Sequence, residues 1–484
     1  MIKAKNIELE RINELARNTM LLPLLFSSII VFLLLKLGLK GAGVLMAFPI
    51  ILYLLKTVFS RPDRMLFMTL GFSFFISGLS RYIKFSWGLG IDILLVVTCI
   101  ILFIKEYKNL EIKNLNNTFF GLSLIWMAYV VFLIVNPESH SIEAWFYAMR
   151  GVGFYFLLTL GLSLMTLRKP SHVDTFLKFL IGLSVLGAIW AIKQKTIGVD
   201  SFEHHWLWVE GHYDEHVLFG VLRAFSFYSD AGQFGASQIM ISMMCGILLF
   251  QRNISLKTRL LYATGMIMCF IGFALSGSRG PMIVPAVGGL SFLVLTKNFK
   301  ILSMGAFGLV VVFCILKFTF IAHGLEPVRR MRTALDPENP SLMARKRNQD
   351  TFAAYLKDKP IGGGIGSAGY WGNRFSPDTL LANTPTDSYY VKIWAETGIV
   401  GVGLHVMIIG YFLGTIAIFI DRLKNTNLKY KAMALYASIF GVLAASYGNQ
   451  VFSQLPTGII MAMAFGILYL MPVYDKQIQL KQQP

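Results

Sequence analysis

From Met20 onward the sequence returns repeatedly to apolar stretches close to 20 residues long, separated by short polar connections. A stretch of about 20 apolar residues is what an α-helix needs to cross the roughly 30 Å hydrocarbon core of a bilayer. Fourteen such spans are expected, near 20–38, 41–59, 65–80, 87–104, 118–135, 147–168, 173–192, 232–250, 259–276, 280–296, 301–322, 387–420, 430–449 and 456–472. With 55% hydrophobic against 14% charged residues, a soluble enzyme, a secreted disulfide scaffold and a disordered chain are excluded. The expected fold class is an all-α polytopic integral membrane protein.

Cys99, Cys245, Cys269 and Cys314 lie inside apolar runs, where thiols behave as small hydrophobes. The net charge of +18 reports topology here, not nucleic acid. Lys and Arg gather at both ends and in the even-numbered connections, and are sparse in the short odd-numbered ones, so the positive-inside rule puts both termini in the cytoplasm. The expected organisation is a cytoplasmic segment 1–19 that leads into a signal anchor, and spans one to seven over 20–192. An outer loop 193–231, spans eight to eleven over 232–322, a large outer loop 323–386, spans twelve to fourteen over 387–472 and a cytoplasmic tail 473–484 follow. The twelfth span is overlong; it is expected to begin at Asp387 as an interfacial helix and to cross from about Gly398.

Charges inside spans are costly and usually functional. In this topology Asp92, Arg150, Arg279, Lys317, Lys392 and Glu396 fall near outer ends, and only Lys178 near an inner one. Collectively they describe a polar site at the outer face, fed by two outer loops. A transporter would instead place such groups near the midplane between internal repeats, and no repeat is evident. Arg223 opens the polar segment before the eighth span. The larger loop holds nine Lys/Arg against six Asp/Glu, including Arg345, Lys346 and Arg347, after which an amphipathic helix is expected to run to Lys359. The glycine-rich Pro360-Ile-Gly-Gly-Gly-Ile-Gly then follows, read as a hinge or a close backbone approach in a partly helical lid. Arginine matters because its planar fork binds phosphate oxygens bidentately. His204, His205, His212 and His216 cluster in the smaller loop, but their spacing fits no metal-ligand pattern. Neither long loop contains Asp-x-Asp, the common metal-chelating device of nucleotide-sugar transferases.

Three segments together resemble the O-antigen ligase and O-antigen polymerase superfamily of bacterial membrane glycosyltransferases. They are Ser276-Gly-Ser-Arg279-Gly, Arg345 fifteen residues before Pro360 and its Gly-x-Gly, and Asp387-Ser-Tyr-Tyr-Val-Lys-Ile-Trp-Ala-Glu396-Thr-Gly398-Ile-Val-Gly401. The resemblance runs from about Arg150 to the last span and is clearest over Arg223–His405. The family often has a histidine where this chain reads Thr386-Asp387.

That resemblance implies a donor, a glycan on undecaprenyl pyrophosphate, and an acceptor hydroxyl on a glycan, lipid or protein. It implies residence in the bacterial plasma (inner) membrane with the active face outward, no metal and no cofactor, and a chain-length regulator or flippase as companion. Arg223, Arg279, Arg345, Arg347 and Arg150 are the expected pyrophosphate ligands. Arg279 and Asp387 are the expected catalytic residues, Asp387 as general base unless it merely caps its helix. A surface-polysaccharide polymerase or ligase is the reading preferred. A protein O-oligosaccharyltransferase, a lipid-linked-oligosaccharide flippase and a non-catalytic assembly subunit are the alternatives.

Overall fold

The computed structural model describes residues 59, 61–85, 87–106, 112–218, 220–297, 299–321, 324, 328–329, 332 and 340–482. The first expected span, and the second apart from residue 59, lie outside these. By its contacts the chain divides into 1–64 and 65–484, and the second unit holds almost all that is described.

Each of the twelve remaining expected spans coincides with a helix. Numbered in chain order, they are α1 Pro62–Tyr82, α2 Gly88–Glu106, α3 Thr118–Phe132, then α4 Ile142–Met149 continuing through a π-helical turn at Arg150–Phe154 into α5 Tyr155–Thr166, and α6 Pro170–Thr196. After the first long loop come α9 Ala231–Leu248, α10 Leu256–Ser276, α11 Ile283–Thr296 and α12 Phe299–Phe318; after the second, α16 Tyr389–Arg422, α17 Thr426–Ala445 and α18 Thr457–Gln482. Nine helices among the described residues are long and apolar enough to cross a membrane.

The ends are set by polar side chains that accept the orphan amides of a first turn. Asn117 accepts from the Phe120 amide at 3.0 Å and Asp230 from Gln233 at 2.8 Å, while Asn425 accepts from Leu428 at 2.9 Å. Between the ends, helices approach through small residues, as is usual where lipid removes the hydrophobic drive for association. A methyl on Gly288 would strike the Ala437 carbonyl, and one on Gly441 the Val284 carbonyl. Phe119 stacks on Phe412 with centroids 4.1 Å apart. Outward, α2 shows Ile93, Val96, Ile100 and Phe103 in an exposed stripe at helical spacing. Water would penalise such a stripe; lipid does not.

The loops depart from the all-helical expectation in one place. Between α6 and α9 the chain makes two short helices, α7 Ser201–Trp208 and α8 Tyr213–His216, then a two-stranded antiparallel hairpin. In it β1 Val217–Leu218 pairs with β2 Val221–Leu222. Strands two residues long carry no periodic signal in a sequence. The second loop contains α13 Pro340–Leu356, which begins ahead of Arg345 rather than after Arg347 and ends short of Lys359, then α14 Gly369–Phe375 and α15 Leu380–Asn383. α16 is interrupted at Gly398, whose φ of 66° and ψ of −173° are not helical. The break falls where the overlong span was expected to start its crossing.

Candidate active site

The Ser-Gly-Ser-Arg turn is built from the C-terminus of α10. Gly277 ends that helix in the left-handed region, φ 57°, the conformation glycine adopts without strain. The following hydroxyl, Ser278 Oγ, donates to the Ala231 carbonyl in the first turn of α9 at 2.9 Å. Arg223 comes to the same turn from the other side. Its Nη2 donates to Ser278 Oγ at 2.6 Å, its Nη1 to the Glu215 carbonyl at 3.1 Å and its Nε to the Ser276 carbonyl at 3.4 Å. A main-chain bond from the Ala224 amide to the Leu275 carbonyl, 3.1 Å, fixes the segment beside it. Arg223 and the half-buried Arg279 thus flank one turn, with Ser278 between them.

A segment that sequence reasoning missed joins these arginines to the rest of the site. Ser446-Tyr-Gly-Asn-Gln-Val-Phe-Ser-Gln454 connects α17 to α18. A methyl on Gly232 would strike the Asn449 amide, and one on Gly448 would lie 3.7 Å from Arg345 Nη1. Gln454 Nε2 donates to Asp230 at 3.2 Å, and Gln450 Nε2 donates to Thr386 Oγ1 at 2.6 Å. The Tyr389 amide donates to the Ser446 carbonyl at 2.9 Å, seating the start of α16 on this loop. The run is uncharged, so a survey of charges passes over it; the density of amide side chains between two apolar spans was the available signal.

Asp387 is not the cap of α16. Ser388 is, its hydroxyl accepting from the Val391 amide at 3.5 Å. Asp387 is exposed and held at φ 50°, a left-handed conformation that non-glycine residues rarely adopt. Asn348 of α13, one turn beyond Arg345, donates to the Pro385 carbonyl at 3.1 Å and faces Asp387 Oδ2 at 3.5 Å. A chain of neighbours therefore runs from Arg223 through Ser278, Ala231, Gly232, Asn449 and Gly448 to Arg345, and on to Asn348 and Asp387.

Two expected ligands have other neighbours. Arg150 Nη1 pairs with Asp92 at 2.6 Å, and its guanidinium lies 4.8 Å from the Tyr147 ring centroid. It ties α2 to the turn that follows α4, and Gly151 beside it lies under the Ser453 carbonyl. Arg347 is exposed and two residues from Arg345 on α13; residues so spaced face different sides of a helix. The glycine-rich segment is likewise spent on packing. Its Gly363 and Gly364 amides donate to the Ala395 and Glu396 carbonyls at 2.8 and 3.0 Å. Any Cβ on Gly362 would collide with the backbone at Gly398, whose own Cβ would meet the Pro360 carbonyl. The loop fills the break in α16, and the buried Glu396 lies beneath it. Nearby, Lys359 Nζ donates to Glu138 at 2.7 Å and holds that carboxyl below its ordinary pKa. Three of the four histidines of the first loop pack among aromatics, and the exposed His205 faces Glu210 at 3.7 Å. His204 stacks on Trp208 and His212 on Trp206, with centroids 4.2 and 4.3 Å apart.

Fold and site define a multi-pass helical membrane protein with a cationic, amide-rich site at one end of its bundle. The O-antigen ligase family matches residues 264–406, a stretch that takes in Arg279, Arg345 and Asp387. An O-antigen polymerase of Salmonella muenchen is 27% identical over 232 residues, 47% of this chain and 56% of that protein. The chain thus spans a little over half the length of the relative it matches. The resemblance to the O-antigen ligase and polymerase superfamily is supported by both comparisons.

Proposed function

We propose that this protein is a glycosyltransferase of surface-polysaccharide assembly. In this reading it moves a glycan from undecaprenyl pyrophosphate to an acceptor hydroxyl at the outer face of the bacterial plasma membrane, as polymerase or ligase. The observation that carries it is the seating of Arg223 on the turn that bears Arg279, within a network that reaches Arg345 and Asp387. The acceptor oxygen attacks the anomeric carbon, the bond from that carbon to the pyrophosphate oxygen breaks, and the lipid pyrophosphate leaves with the electron pair. Arg223, Arg279 and Arg345 stabilise the charge gathering on the leaving group, the place where preorganised donors contribute most.

Asp387 takes the acceptor's proton. Its strained backbone and its freedom from capping duty support that role, since strain tends to persist where function demands it. The reaction in this reading needs no metal. Deletion of the gene followed by glycan profiling separates the two activities: short chains alone indicate a polymerase, and loss of all attached glycan indicates a ligase. An unchanged profile would refute the proposal.

A further inference from the structure

The segment between Arg223 and Asp230 crosses no sheet and joins no helix, yet it is buried and held by side chains from elsewhere. Phe225, Ser226 and Tyr228 are each at most 1% exposed, and Ser226 sits at φ 51°. Backbone groups of such a segment need partners, because an unpaired buried amide or carbonyl costs free energy. Arg81, at the end of α1 and 5% exposed, supplies two. Its Nη1 donates to the Ser226 carbonyl at 2.7 Å and its Nη2 to the Tyr228 carbonyl. The guanidinium lies over the faces of the Trp206 and Phe225 rings, 4.2 and 4.4 Å from their centroids. Gln194 of α6 supplies the complementary half. Its Oε1 accepts from the Phe225 and Ser226 amides at 3.2 and 2.9 Å, and its Nε2 is fixed by the buried Glu203 at 2.7 Å. Donor and acceptor side chains from two helices thus hold both polarities of one non-repetitive backbone.

We infer that Arg81 and Gln194 are positioning residues: they form a cradle that sets where Arg223 meets the Ser276–Ser278 turn. The inference rests on the proposed transferase reading for its catalytic consequence, but not for the cradle itself. Arg81 lies far outside residues 264–406, the stretch that the O-antigen ligase family matches. Lysine cannot replace it fully, since an ammonium lacks the rigid planar fork that reaches two separate carbonyls while lying flat on a ring.

The experiment is a double-mutant cycle on the full chain in proteoliposomes, with lipid-linked oligosaccharide extracted from cells deleted for this protein as donor. A displacement of about 1 Å can cost on the order of 10²-fold in rate. Arg81→Gln is expected to lower kcat/KM by about 10- to 100-fold, with Arg81→Lys intermediate. In an Arg223→Gln background the same change should cost less than about 2-fold, because residues acting through one another are not additive. Full additivity, or no loss in Arg81→Gln, would overturn the inference. Hydrogen exchange decides the cradle without any activity. The amides of 223–230 should exchange faster in Arg81→Lys while those at the centre of α9 do not change, and unaltered exchange there would refute it. If the unmodified protein transfers no glycan, the transferase reading fails, and the exchange result still stands or falls alone.

Discussion

Ser278→Ala is the smallest change that loosens the arginine site while leaving the bundle intact. The hydroxyl is 7% exposed, donates to the Ala231 carbonyl at 2.9 Å and accepts from Arg223 Nη2 at 2.6 Å. Alanine fills nearly the same volume, so no cavity forms. What is lost is one charge-assisted hydrogen bond, about 1.5–3 kcal/mol, and one neutral bond. Arg223 keeps its bonds to the Glu215 and Ser276 carbonyls, so its position shifts rather than collapses. If half to all of the charge-assisted bond's energy is held as preorganisation of the guanidinium, transfer slows by roughly 3- to 150-fold, at 1.36 kcal/mol per factor of ten. Initial rates of glycan transfer in proteoliposomes measure this, with a thermal melt in detergent as control. A normal rate in a protein that has lost the Arg223–Ser278 bond would refute the reasoning, since it would mean the orientation of Arg223 is immaterial.

Asp387→Asn should leave the melting temperature unchanged, because Ser388 caps α16 and Asn tolerates left-handed backbone. It should lower the transfer rate by about 10²–10⁴-fold, the usual contribution of a general base, and a rate near normal would remove Asp387 from the chemistry. His216 lies buried outside the spans, and burial pushes its pKa down to about 4. The unfolded chain therefore takes up a proton that the folded one refuses. Stability from this group is complete above about pH 6.5 and is lost as the pH falls toward 4, by up to about 1.4 kcal/mol per pH unit. Melting temperatures of the natural protein should fall over that window, and His216→Phe, which keeps the aromatic contacts with Trp206 and Phe225, should flatten the slope.

The spans were legible because, in a chain this poor in charge, an apolar run of fixed length has little it can do besides cross a bilayer. Gly398 was legible too, as the point where an overlong span had to break. The site was read only in part. Arg279 could be named from charge placed at the end of a span, Arg223 and Arg345 from the polar outer segments, and Asp387 from the family resemblance, but nothing local says that Arg223 binds a serine 55 positions onward. Arg150 and Asp92 could both be named as charges near outer ends, but not that the two pair with each other. The Pro360 glycine segment suggested a hinge or a close backbone approach; its glycines admit the backbone of a broken helix, which is the second of these. Asn449, Gln450 and Gln454 escaped notice because amides carry no charge, and Arg81 because a residue at a span's end reads as an anchor.

The measurement closest to the central claim couples bond making to leaving-group release. The purified full chain, reconstituted with lipid-linked oligosaccharide and acceptor, should form one new glycosidic bond for each undecaprenyl pyrophosphate released. Arg279→Lys should insert normally and retain its charge, yet lose most of that coupled activity with the bidentate fork. New linkages without released lipid pyrophosphate, or equal rates in the natural protein and Arg279→Lys, would contradict the account.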